Sequence, residues 1–97
     1  MRYEIVLAPE AIEDLAAPDS PERTSTRKAI ARHLRHEPTK VSKSRIKRLR
    51  GVARPEFRLR VGDIRVIYDV AGGEVVVLAI VRKADAADCL GRFGVSE

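Results

Sequence analysis

The sequence has few residues that could hold a metal or form a disulfide. Cys89 is the only cysteine among 97 residues, which excludes an internal disulfide and a cysteine-based zinc site. No cluster of His, Cys and carboxylate residues stands at metal-ligand spacing, so His33 is interpreted as a packed core or boundary residue of a helix. A glycine-rich phosphate loop and internal repeats are also absent. We therefore expect no metal and no cofactor.

Long hydrophobic runs are absent too. Near the N-terminus only residues 5–8 form an apolar run, which is too short for the core of a signal peptide. No other run approaches the length of a membrane span. The chain is long enough to fold without disulfides or metals, and we expect one domain over residues 1–97, located in the cytoplasm.

The positive charge is concentrated in one part of the chain. The net charge is +5, but residues 40–60 contain nine basic residues and a single carboxylate, Glu56. This segment therefore carries +8 and the rest of the chain −3. A basic block on an otherwise mildly acidic protein is typical of a nucleic-acid or phosphate binder.

Residues 57–82 predict three consecutive antiparallel strands. Phe57–Val61 alternates apolar and basic residues, 64–70 is rich in β-branched residues, and 75–81 is an unbroken apolar run. Gly62-Asp63 suits a type II′ turn, and Gly72-Gly73 tolerates the positive φ angles of a type I′ turn.

These two-residue turns predict the pairing of the strands and the face of each side chain. The predicted pairs are Val61–Ile64, Arg60–Arg65, Arg58–Ile67, Val70–Val75, Ile67–Leu78 and Arg65–Ile80. One face is then a core, made by Phe57, Leu59, Val61, Ile64, Val66, Tyr68, Val70, Val75, Val77, Ala79 and Val81. The other face combines Arg58, Arg60, Arg65 and Arg82 with Asp69 and with an apolar set, Ile67, Val76, Leu78 and Ile80.

The arginine-bearing face has two interpretations. Like charges placed opposite each other across strands cost up to about 1 kcal/mol per pair, so this gathering of arginines favours a polyanion as ligand. Alternatively, they are solvated arginines whose partners are Asp69 and Glu56. The apolar set on the same face should not stand bare in water, and we expect a partner helix or residues 84–93 to cover it.

The remaining elements complete an α+β fold. A strand over 3–7 precedes a short helix that begins at Pro9, and a second helix has Ser20 as its N-cap and ends near His36. Residues 38–55 are predicted to be a charged connector. A short helix over 84–90 is closed by Gly91, Phe93 tucks back, and the last residues are expected to be loose. The predicted order is β-α-α-β-β-β, with two N-terminal helices packed on one face of a mostly antiparallel four-stranded sheet.

The segment Arg65-Val66-Ile67-Tyr68, preceded by residues 57–63 and followed by the strand VVVLAIVR, resembles the RelE/ParE toxin superfamily. The resemblance covers almost the whole chain. It implies a RelE-like fold of the microbial RNase type and a cognate antitoxin that neutralises the toxin. RelE-type members cut mRNA in the ribosomal A site without a metal, by attack of a 2′-hydroxyl on the adjacent phosphate. ParE-type members instead inhibit DNA gyrase.

The resemblance also implies roles for individual residues. Arg65 matches the arginine that would contact the scissile phosphate, and Arg58, Arg60 and Arg82 match other basic positions of the site. A second set would contact ribosomal RNA, namely Lys47, Arg48 and Arg50. The apolar set of the same face, Ile67, Val76, Leu78 and Ile80, would bind the antitoxin.

The chain departs from the RelE pattern in its proton-transfer groups. Many RelE-type nucleases have a tyrosine or a His-Tyr pair after the last basic motif, where this chain has Asp88 or Leu90. Tyr68 is assigned to the core. Glu56 is either a base or, as we favour, a rim carboxylate paired with an arginine. The leading interpretation is a ribosome-dependent mRNA endonuclease that inhibits translation; the alternatives are a gyrase inhibitor without nuclease activity and a catalytically inactive RNA-binding relative.

Overall fold

The computed structural model describes residues 2–16, 21–51 and 54–97. The strands are β1 (Glu4–Leu7), β2 (Ile46–Arg48), β3 (Phe57–Val61), β4 (Ile64–Ala71) and β5 (Glu74–Arg82). The helices are α1 (Pro9–Ala16), α2 (Pro21–Ala29) and α3 (Lys83–Phe93), and α2 continues as a π-helical segment, Ile30–Leu34. The predicted N-cap, Ser20, lies outside the described residues.

The five strands form one sheet in the order β1-β5-β4-β3-β2. β1 runs parallel to β5, and the other neighbours are antiparallel. The predicted α+β fold class is confirmed, with five strands rather than four. The additional strand is β2, a short edge strand within the predicted connector, where Ile46 pairs with Leu59 and is buried while its neighbours are exposed.

The turns adopt the backbone conformations that the sequence predicts. Gly62 has a φ of 57°, and Gly72 and Gly73 have φ angles of 56° and 80°. The glycines allow these positive angles without the steric cost that other residues meet. All predicted pairs of β3 with β4, and the pair Val70–Val75, are confirmed.

The predicted pairing fails in the second half of β5, because the strand contains a bulge. Tyr68 pairs with Val77 and Ile67 with Ala79, so Leu78 has no partner on β4. One extra residue shifts every later side chain to the opposite face. The predicted pairs Ile67–Leu78 and Arg65–Ile80 are therefore wrong.

The first face of the sheet packs against the N-terminal helices. Ala11 and Leu15 of α1, together with Ile30 and Leu34 of the π-helical segment, are buried against the sheet. The sheet contributes Ile46, Phe57, Leu59, Val66, Tyr68, Val75, Val77 and Ile80 to this first core. The expected packing of two helices on one face is confirmed. Ile80 belongs here because the bulge reverses its direction.

The second face packs against α3 and the residues that follow it. A second core joins the sheet residues Ile67 and Ala79 with Cys89, Leu90 and Val95, and with Leu49 from the loop after β2. α3 continues through Gly91, beyond the predicted end, and closes at Gly94, which adopts a left-handed φ of 79°. Phe93 packs on this core as predicted. In the part of the chain that the structure describes, every helix is too short or too polar to cross a membrane.

Candidate nucleic-acid interface

Four basic residues from three adjacent strands lie on the second face of the sheet, beside α3. Lys47 is the strand partner of Arg58, and Arg60 is the partner of Arg65. Residues directly opposite each other in a sheet project to the same face, so these four form one group, called here the basic face. Arg60 and Lys47 are exposed, whereas Arg58 and Arg65 are partly or wholly covered. The prediction that Arg58, Arg60 and Arg65 share a face is confirmed in its geometry.

Arg65 is the least accessible member of the basic face. The residue is only 5% exposed, and its Nη1 donates to the carbonyl oxygens of Gly62 at 2.9 Å and Ile64 at 3.1 Å. Burial, with Arg58 and Arg60 close by, lowers the pKa of this guanidinium. Arg65 therefore stabilises the β3–β4 turn through these hydrogen bonds, and its buried charge adds to the positive potential of the basic face. The exposed members, Arg60 and Lys47, are the ones that a ligand in solution can contact.

Arg58 has an internal anionic partner. Its Nε lies 2.5 Å from Oε1 of Glu97, and its Nη1 donates to the carbonyl of Arg45 at 3.1 Å. The Arg58 side chain is 11% exposed and that of Glu97 38%. The expectation of a loose C-terminal segment is wrong, because Ser96 pairs with Arg50 and places Glu97 on the basic face. No local sequence pattern predicts this contact, since the partners are 39 residues apart.

Arg82 does not belong to the basic face. It is the strand partner of Ile64, which packs against the first core, and it lies beyond the bulge. Its guanidinium contacts Glu22 of α2 at 3.2 Å and Asp63 at 3.6 Å. The face predicted for Arg82 is therefore wrong, and its partners are carboxylates on the helix side of the sheet.

A cleft of about 450 Å³ also opens on that helix side, but its charges are mixed. It contains the Arg82–Glu22 pair and the carboxylate of Asp14, which accepts a hydrogen bond from the Ile80 N–H at 3.2 Å. Acidic residues in the wall disfavour a polyanion, so the basic face remains the candidate interface.

The predicted ribosome-contacting residues separate in the structure. Lys47 lies on the basic face, whereas Arg48 projects to the other side, 5.0 Å above the Phe57 ring, and pairs with Glu56 at 3.3 Å. Arg50 is exposed, and its backbone pairs with Ser96. Glu56 also contacts a second arginine, Arg54, at 3.5 Å, as the rim-carboxylate interpretation predicts.

The predicted apolar set does not form one exposed surface. Ile67 is fully buried beneath α3, which confirms that the C-terminal segment covers it. Ile80 is buried in the first core on the opposite side. Val76, near the start of β5, and Leu78, at its middle, remain half-buried. Ile67 and Ile80 are therefore unavailable as a joint antitoxin site in this conformation.

Both tyrosines pack on the first core, and His33 lies in the π-helical segment. Tyr68 is fully buried, its hydroxyl donates to the Pro38 carbonyl at 2.5 Å, and burial raises its pKa. Tyr3 packs on the first core. His33 is half-buried in the π-helical segment, as predicted, and burial with nearby Arg45 and Arg32 lowers its pKa. Within the described ranges, no group of three or more His, Cys, Asp and Glu side chains could hold a metal ion.

Solved structures of RelE toxins have the same architecture. The archaeal RelE–RelB complex of Pyrococcus horikoshii matches with a TM-score of 0.62 and 21% identity, covering 86% of this chain and 97% of that one. The RelBE2 toxin–antitoxin complex of Mycobacterium tuberculosis matches with a TM-score of 0.58 and 24% identity, covering 84% and 99%. A free E. coli RelE with two arginines changed to alanine matches with a TM-score of 0.56 and 18% identity, covering 96% and 95%.

These matches define the class of fold: the chain is a small α+β protein with the RelE-like toxin fold. No protein-family model matches the sequence, and no curated protein does. Identities of 18–24% establish the fold, and function is argued from the site.

Proposed function

We propose that the protein is the toxin of a toxin–antitoxin system and acts in the cytoplasm as a ribosome-dependent endonuclease on mRNA. The observation that carries the proposal is the basic face, where Lys47, Arg58, Arg60 and Arg65 converge on one side of a RelE-like sheet. Directly opposed arginines destabilise a sheet, so a function in binding a polyanion is the simplest account of their placement.

The exposed members of the basic face would bind the RNA backbone. Arg60 and Lys47 are open to solvent, and their strands hold them at fixed positions. Arg58 would join them once its contact with Glu97 opens. Phosphate contacts of this kind provide affinity and register but no base specificity, so recognition of a codon would depend on the ribosome.

The same cations suit cleavage by an internal nucleophile. The 2′-oxygen forms a bond to phosphorus, the bond from phosphorus to the 5′-oxygen breaks, and the 2′-hydroxyl proton is transferred to the 5′-oxygen. Negative charge builds on the non-bridging oxygens in the transition state. Guanidinium groups that are already fixed in place stabilise this charge without reorganising. Arg65 would contribute mainly through its field and by holding the turn beside Arg60.

An antitoxin partner is part of the proposal. Two of the similar structures are complexes of a RelE toxin with its antitoxin. For this chain an antitoxin would have to contact a surface other than the buried Ile67 and Ile80, or displace α3 to reach Ile67. The half-buried Val76 and Leu78 remain accessible candidates for that contact.

A second function, inhibition of DNA gyrase without RNA cleavage, is favoured by one observation. Both tyrosines pack on the first core, and the nearby carboxylates Glu56 and Glu97 are paired with arginines. Within the described residues, these candidate proton-transfer groups are therefore buried or held in ion pairs in this conformation.

Inducible expression with primer extension on a reporter message distinguishes these functions. Wild type is compared with Arg60→Ala, which removes an exposed cation of the basic face, and with Arg32→Ala, a matched loss of charge on the π-helical segment. We expect growth arrest and codon-phased cuts in wild type and Arg32→Ala, and at least tenfold fewer cuts in Arg60→Ala. Growth arrest without cuts, together with inhibition of DNA gyrase in a supercoiling assay, would instead establish the gyrase function.

Arg65→Ala is a less specific test. Its guanidinium bonds two carbonyls of the β3–β4 turn, so its loss would also destabilise the fold by about 1–3 kcal/mol. For this reason the exposed Arg60 is the better probe of RNA contact.

A further inference from the structure

The residues that follow α3 fold back onto the basic face. Val95 enters the second core, and the N–H groups of Arg50 and Ser96 each donate to the other's carbonyl, at 2.7 and 2.9 Å. Glu97 follows directly, and its carboxylate contacts Arg58. A carboxylate of the chain itself therefore occupies the position where the proposed function places an RNA phosphate.

The loop before β3 is shaped to receive this segment. Gly51 has a φ of 133°, in the region that favours glycine. A Cβ at this position would lie 2.9 Å from the Gly94 oxygen and 3.2 Å from Cγ1 of Val95. Only a residue without a side chain at position 51 allows this loop and residues 94–95 to approach so closely. Residues 94–95 are therefore held at a fixed place, from which Glu97 reaches Arg58.

We propose, building on the proposed function, that Glu97 is an internal competitor for the anion-binding position on Arg58 and that RNA phosphate displaces it. Carboxylate and phosphate oxygens make the same charge-assisted hydrogen bonds to a guanidinium, so the two ligands exclude each other at one Nε. Release of Glu97 frees a cation that is otherwise neutralised, and the basic face then gains a third accessible contact beside Arg60 and Lys47.

Displacement needs only a local movement. Val95 is 7% exposed and holds the segment in the second core, and its removal would uncover apolar surface. The Glu97 side chain, by contrast, is 38% exposed and lies beyond that anchor, so it can rotate into solvent while Val95 stays in place. The exchange is therefore compatible with an intact α3 and an intact second core.

The exchange selects for extended polyanions. A single small anion that replaces Glu97 at Arg58 exchanges one ionic hydrogen bond for a similar one, so the exchange adds little binding free energy. An RNA strand brings neighbouring phosphates that Arg60 and Lys47 bind at the same time, and these linked contacts raise the effective concentration of the phosphate that competes with Glu97. Isolated small anions would occupy the position less readily than RNA.

Binding measurements on purified full-length protein test this role with two probes. The first is a short fluorescein-labelled single-stranded RNA, followed by anisotropy, and the second is inorganic pyrophosphate, followed by NMR titration. Glu97→Gln removes the charge but keeps the shape, and Glu74→Gln is the matched control at the exposed β4–β5 turn. We expect Glu97→Gln to bind both probes about two- to fivefold more tightly than wild type, with Glu74→Gln unchanged. In an Arg58→Ala background the effect of Glu97→Gln should disappear.

The outcomes separate this inference from the proposed function. Unchanged or weaker binding of both probes by Glu97→Gln overturns the competitor role, and the RNA function survives if wild type binds RNA through Arg60. If Glu97→Gln gains pyrophosphate affinity but neither protein binds RNA, the anion-binding position stands, displacement of Glu97 by RNA is wrong, and the primer-extension assay decides the ribosome-dependent function. If Glu97→Gln loses cleavage at unchanged RNA affinity, Glu97 takes part in the chemistry and the competitor role is overturned.

Discussion

The hydrogen bond from Tyr68 to the Pro38 carbonyl links the middle of the sheet to the start of the loop that leads to β2. Tyr68 and Pro38 are both fully buried, and the donor–acceptor distance is 2.5 Å. Tyr68→Phe removes one oxygen atom and keeps the ring stacked on Phe57, with ring centroids 5.6 Å apart. The substitution therefore isolates the hydrogen bond, because the apolar packing stays the same.

The expected cost is set by the carbonyl that loses its partner. A buried acceptor without a donor destabilises a fold by about 1–3 kcal/mol, which lowers the melting temperature by roughly 4–8 °C per kcal/mol in a chain of this size. Urea denaturation should show a lower midpoint at an unchanged slope. Tyr3→Phe is the matched control, since Tyr3 is half-buried and its hydroxyl makes no hydrogen bond within the described residues. If both variants lost the same stability, to within about 0.3 kcal/mol, the hydrogen bond would contribute nothing specific and the reasoning would be refuted.

Glycines and the buried tyrosine give three more testable expectations. Gly94→Ala should destabilise the protein by about 1–2 kcal/mol, because residue 94 has a left-handed backbone conformation. Gly91→Ala should stabilise it by up to about 1 kcal/mol, because residue 91 lies within α3 and a Cβ there meets open space. Thermal unfolding measures both effects. Burial raises the pKa of Tyr68, so its folded state holds a proton that the unfolded state loses above about pH 10; stability should fall as the pH rises past that value, and less steeply in Tyr68→Phe. Gly51→Ala should loosen the docked C-terminal segment, which hydrogen exchange would detect as faster exchange of the Ser96 amide, and unchanged exchange would contradict the close approach at residue 51.

The sequence predicts the hairpins well because glycines mark their turns. Gly62 and the Gly72-Gly73 pair fix two-residue loops, and loop length fixes the register of the strands beside them. The face of Arg58, Arg60 and Arg65 follows from that register and from alternation alone. Most of the basic face could therefore be predicted from the amino-acid sequence.

Features that depend on distant partners could not be predicted in this way. β2 is three residues long, lies among charged residues and is strand only because β3 pairs with it. The contact between Glu97 and Arg58 joins residues 39 positions apart in the chain, and nothing near either residue indicates it. α3 continues past Gly91, which is exposed and is tolerated within the helix, and the C-terminal cap is Gly94.

The bulge at Leu78 has a consequence for how the chain should be aligned with other RelE-like sequences. The run 75–81 is apolar at every position and both faces of β5 are covered, so alternation carries no information there. An alignment that matches Arg82 to a basic residue of a protein without the bulge would equate side chains on opposite faces of the two sheets. Residue roles can therefore be transferred across this point only after the strand pairing of both proteins is known. A one-residue gap placed at position 78 would restore the correspondence of faces, which identical residues after that position do not establish by themselves.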